Sequence, residues 1–129
     1  MRTFWNTKLT AIALGVAIVG ASPALGHGST KPRHGGQVEM SGETLVELVR
    51  GAKGVSVFVR YDDDPVPASD LTGKLVVTQG TKKFTSPLVA GTANRLDARG
   101  VKIPSGAKVA VMLVTKSTQS RSVVNFTAK

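Results

Sequence analysis

From Gln37 onward this chain is written in short β-branched runs separated by turn residues, and that spacing constrains the fold more than any other feature. Residues 38–40 and 44–49 flank Ser41-Gly42-Glu43, which reads as a tight hairpin. Val55-Ser56-Val57-Phe58-Val59-Arg60-Tyr61 alternates closely. Val55, Val57, Val59 and Tyr61 fall on one face, and Ser56, Phe58 and Arg60 on the other. Asp62-Asp63-Asp64-Pro65-Val66-Pro67 reads as a loop, because two prolines do not fit inside a central strand. Residues 74–78 and 83–88 form a second hairpin through Gln79-Gly80-Thr81-Lys82. Residues 95–98 make a short strand, 108–115 a nearly continuous apolar strand expected at the centre of a sheet, and 122–127 the last one. Met112, inside that apolar run, is expected in the core.

Residues 43–52 admit two readings. Leu45, Leu48, Val49 and Ala52 fall at helical spacing, yet Gly42 and Gly51 bound a segment too short for a helix without tertiary support. Strand is favoured. The expected fold is a single all-β domain: an immunoglobulin-like or Greek-key β-sandwich of roughly seven or eight short strands with a flexible N-terminal arm. A small barrel is the nearest alternative.

Ahead of that domain the chain reads as a secretion signal. Arg2 and Lys8 precede an apolar run over 9–21, and Ala21-Ser22-Pro23-Ala24-Leu25-Gly26 supplies the small residues of a cleavage site. The run is short for a bilayer span. The expected organisation is a signal peptide over 1–26, a polar His/Gly arm over 27–36, and the β-sandwich over 37–129. Removing the signal leaves 103 residues, enough for one core. It also strips two of the 17 basic residues and none of the 8 acidic ones, lowering the net charge from +9 to about +7. The basic residues are dispersed, without a stripe or interleaved aromatics, which argues against a nucleic-acid partner. There is no cysteine, so disulfides and thiolate metal sites are excluded.

The two histidines carry the chemistry. Cleavage after Gly26 would make His27 the first residue, and its amine and imidazole form a chelate. His34, in Pro32-Arg33-His34-Gly35-Gly36, adds a second imidazole, giving a nitrogen set that suits Cu(II), with zinc as the alternative. Met40 offers a thioether for Cu(I). Glu39, Glu43 or the Asp62–Asp64 carboxylates are candidate oxygen donors. Cleavage after Ala24 would instead place His27 third, a position that wraps Cu(II) or Ni(II) with backbone nitrogens. The plainer alternative is that both histidines are simply solvated, and the Asp run is an acidic loop tip lacking the spacing of a calcium loop. No enzyme is expected. A serine triad needs a histidine on the rigid scaffold, and Gly51-Ala52-Lys53-Gly54 reads as a hairpin turn rather than a phosphate loop.

His34-Gly35-Gly36-Gln37-Val38, Glu47-Leu48-Val49, Gly91-Thr92-Ala93-Asn94-Arg95-Leu96-Asp97-Ala98 and Pro104-Ser105-Gly106-Ala107-Lys108 together resemble a group of small exported proteobacterial proteins. Those proteins start after their signal with His-Gly, carry a Lys-His-Gly-Gly element, and are related to segments of heavy-metal efflux adaptor subunits. The resemblance spans most of 27–129. It implies a periplasmic β-rich domain tied to copper or another heavy metal, beginning at His27, with an efflux component as a possible partner. Arg33 stands in place of the family's lysine, which leaves chelation unchanged, and Gly26 replaces the more usual alanine before the cut. The rival expectation is a periplasmic interaction or assembly module that pairs a strand edge with a partner protein.

Overall fold

The computed structural model describes residues 30–129. Nine strands follow one another: β1 (Gln37–Ser41), β2 (Thr44–Gly51), β3 (Gly54–Tyr61), β4 (Asp64–Pro65), β5 (Leu71–Gln79), β6 (Lys82–Ala90), β7 (Arg95–Arg99), β8 (Lys108–Thr115) and β9 (Ser120–Thr127). A single 3-10 turn at Ala68–Asp70 precedes β5. Every pairing is antiparallel.

The strands lie in the order β1-β2-β3-β7-β6-β5-β8-β9, with β4 paired to β3 off this path. β5, β6 and β7 follow one another in sequence and in space, and β8 returns to lie beside β5, which is a Greek key. One layer holds β1, β2, β3 and β7, the other β5, β6, β8 and β9. β6 joins them along one margin: Lys82 to Leu88 pair with β5, and Val89 and Ala90 pair with β7. Along the other margin the Gln37 side chain bridges β1 to the end of β9. Its Nε2 donates to Thr127 O at 3.0 Å, and its Oε1 accepts from Lys129 N at 2.9 Å. The expected Greek-key sandwich is thus drawn almost into a barrel.

Between the layers, Val46 and Leu48 of β2 and Val55, Val57 and Val59 of β3 meet Leu75 and Val77 of β5, Val109, Val111 and Leu113 of β8, and Val124 and Phe126 of β9. At the end where β8 begins, Ile103 and Ala107 close the core from the 100–107 loop. Arg50 fastens that end, with Nη1 donating to Ile103 O at 3.0 Å and Nη2 to Lys129 O.

Within residues 43–52, Thr44–Gly51 form strand, the favoured alternative. The helical spacing arose because β2 is covered on both faces: Val46 and Leu48 point inward, while Leu45 and Glu47 point outward and are also buried. Met112 is a correction. It alternates to the outer side of β8 and is only partly covered, since Val111 and Leu113 take the inward positions. The ninth strand is β4, two residues that pair with Arg60 and Tyr61 within the segment expected as loop.

Leu75 lies fully buried between the layers. Leu75→Ala should therefore lower stability by roughly 2–5 kcal/mol, read as a lower denaturant midpoint with an unchanged slope.

Candidate functional site

Glu47 is the charged residue that the strand pattern does not accommodate. It sits between the inward-facing Val46 and Leu48, so its side chain lies on the outer face of the sheet, opposite Val38 on β1 and Phe58 on β3. It is nevertheless only 2% exposed. A carboxylate taken out of water requires donors to replace the lost hydration. The segment before β1 supplies them. Arg33 N–H donates to Oε1 at 2.9 Å, His34 N–H to Oε2 at 2.8 Å and Gly36 N–H to Oε2 at 3.0 Å. The fourth contact is His34 Nδ1 to Oε1 at 3.1 Å.

The two glycines make this turn possible. Gly35 has φ +73°, in the left-handed region that glycine adopts without strain. Gly36 packs so tightly that a Cβ there would lie 2.4 Å from Leu48 O. Burial alone would raise the Glu47 carboxyl. The hydrogen bonds from Gly36, Arg33 and His34 outweigh it and hold the group below its ordinary range.

The His34 ring is fixed on a second side by Phe58. The two rings stack with centroids 3.6 Å apart and planes within 7°. An ionised carboxylate only accepts, so Nδ1 carries the proton in this contact, and a neutral ring then keeps its lone pair on Nε2. The imidazole side chain is 42% exposed, so this docked ring still meets solvent. A histidine whose Nδ1–H is held by a carboxylate is the arrangement found behind many metal-ligating imidazoles.

Residues 33–36 are therefore docked through Glu47 and Phe58, where a flexible arm over 27–36 was expected. Within the acidic run, Asp63 is also committed. Asp62 and Asp63 both have positive φ, 48° and 68°, and form a two-residue turn between Tyr61 and Asp64. Asp63 Oδ1 accepts from Arg33 Nη2 at 3.3 Å and from Arg60 Nη1 at 3.1 Å, and Arg60 is itself 4% exposed. Two guanidinium groups thus hold the carboxylate that was a candidate metal donor.

Of the expected site residues, His34 is placed as described, and His27 lies outside the described residues. Met40 is 37% exposed on the same outer face as Glu47, one pair further along, opposite Leu45. Glu39 pairs with Val46 and shares its side of the sheet, away from His34. Among the described residues, no group of three or more His, Asp or Glu side chains is gathered to hold a metal ion. Glu47 and Phe58 were not among the candidates. The available signal was a lone glutamate inside Leu45-Val46-Glu47-Leu48-Val49, a run where an unpaired charge is untenable.

Comparison with known proteins finds no match: no family model, no curated protein and no solved structure is significantly similar to this chain.

Glu47→Ala leaves three backbone N–H donors and one ring nitrogen without their acceptor, and should destabilise the fold by about 3 kcal/mol. The parent's stability should also depend on acid in a defined direction. Its folded carboxyl titrates below the unfolded value near 4.5, so the contribution is full above that pH and is lost as pH falls through the lowered folded value. Stability measured by denaturant melts should fall less steeply with acid in Glu47→Gln than in the parent.

Proposed function

We propose that this chain is an exported periplasmic carrier of a transition-metal ion, with copper the first cargo and zinc the second. It would buffer the metal or deliver it to a heavy-metal efflux system. One observation carries the reading: the His34 Nδ1 contact to the buried Glu47 carboxylate, which leaves Nε2 as the ring's free donor. The Phe58 stack and the Glu47 bond have already removed the ring's rotamer freedom, so coordination meets little further entropic cost.

One imidazole is not a complete site. His27 would add its imidazole and, where cleavage falls after Gly26, its amine. The six peptide units from 27 to the docked Arg33 span at most about 20 Å, ample to bring those donors beside His34. Three nitrogens suit Cu(II), and zinc accepts the same donors. Met40, on the same face, is the candidate soft donor for Cu(I). Its test is Met40→Ala, which should weaken Cu(I) and leave Cu(II) unchanged.

The competing reading is a periplasmic interaction module without metal. In it, Arg33-His34-Gly35-Gly36 serves as a structural latch on Glu47 through those four contacts.

Native mass spectrometry of secreted, processed protein with one equivalent of Cu(II) separates the two. The carrier reading expects one retained copper on a chain starting at His27. Loss of affinity in His34→Ala should accompany it, together with a weakening of about 10–100-fold in Glu47→Gln, whose imidazole is intact but no longer oriented by a charge. Copper kept on a chain starting at Leu25, with His34 dispensable, would point to the third-position chelate instead. A metal-free spectrum at excess Cu(II) and Zn(II) would overturn the carrier reading.

A further inference from the structure

We propose that the end of the sandwich opposite the Ile103 closure is a binding pocket for a small, neutral, amphiphilic molecule. This is independent of the metal reading and involves none of its residues.

The inward-facing positions of four strands change character at the same end. On β3 they run through Val55, Val57 and Val59 to Tyr61, and on β8 through Val109, Val111 and Leu113 to Thr115. On β2 Thr44 precedes Val46, and on β9 Ser122 precedes Val124. The register gathers these ends: Thr44 pairs with Tyr61, Leu71 with Thr115, and Thr115 with Ser120. Aliphatic side chains thus give way to hydroxyls at one level of the barrel.

They line a pocket of about 280 Å³, open to solvent on the side of Tyr61. Val59, Leu71 and Leu113 form its apolar wall, and Thr44, Thr115 and Ser122 are among its hydroxyls. Thr44 and Ser122 lie 3.2 Å apart, oxygen to oxygen, and tie the two layers together at its side. Among the described residues, no charged side chain lines it. At the opposite end Ile103 and Ala107 cover the core.

Three properties of the occupant follow. An apolar wall favours a hydrocarbon or aromatic body, and a hydroxyl that can donate or accept suits an alcohol or carbonyl head. The uncharged lining supplies no counter-ion, so an ionised ligand would lose hydration without compensation. A cavity of about 150 Å³ takes benzene, so this one takes a molecule of about ten to twelve non-hydrogen atoms.

The test is to titrate the full processed chain with 2-phenylethanol and, separately, with phenylacetate, following backbone amide resonances. The two probes share a body and differ in the charge of the head. The expected result is saturable shifts confined to the neighbourhood of Val59, Leu71, Leu113 and Ser122, with phenylacetate at least tenfold weaker. That preference would run against the chain's net positive charge, which attracts the anion. Ser122→Leu, which fills the cavity, should abolish binding, and Thr44→Val, which keeps the shape and removes a hydroxyl, should weaken it by about three- to tenfold. Should Ser122→Leu fail to fold, Thr44→Val and the alcohol–carboxylate comparison on the parent chain decide. Shifts that are absent, scattered over the surface or equal for the two probes would overturn the proposal, as would unchanged binding in Thr44→Val.

Discussion

A carboxylate buried on the outer face of a β-sheet organises this protein's N-terminal half. Glu47 belongs to β2, whose neighbours pack the core, and its charge is tolerable only because Arg33, His34 and Gly36 converge on it. Those donors belong to a segment with no apolar side chains of its own, which therefore has no hydrophobic reason to lie down. The ordering of residues 33–36, the placement of His34 over Phe58 and the approach of Arg33 to Asp63 all follow from that one ionised group. Taking one partner from such a cluster leaves the others desolvated and unpaired, so its members stand or fall together.

The rest of the fold provides rigidity where this cluster needs it. Phe58 and Glu47 face each other on adjacent central strands of one layer, and Val46, Leu48, Val57 and Val59 anchor those strands from beneath. A ring resting on such a platform has little freedom, unlike a histidine on a loose terminus. Near-closure of the barrel adds to this. β6 passes from one layer to the other, and Gln37 joins the margins beside the docked segment. At the far end the inward-facing hydroxyls leave a small space that the aliphatic core does not fill.

The strand pattern was legible because alternation is a local property. Residues 55–61, 74–88 and 108–115 declared their strands through β-branched spacing and turn residues alone. Residues 43–52 were ambiguous because burial on both faces erases alternation, and Met112 was misplaced because a nearly continuous apolar run hides which side each residue takes. The site was legible only in part. His34 stands out by its rarity, but its partner is 13 residues away on β2, and no spacing rule connects them. The arm's composition suggests a loose segment, but composition is blind to backbone N–H groups; a single distant carboxylate captures three of them.

The measurement that bears most directly on the proposed metal chemistry is a long-range proton–nitrogen NMR correlation of the His34 imidazole at neutral pH, with and without Zn(II). The expected result is a ring protonated at Nδ1 and bare at Nε2, with Zn(II) shifting the Nε2 resonance selectively. A proton on Nε2 facing a bare Nδ1, or a ring whose resonances ignore the metal, would contradict it and leave His34 as a latch alone.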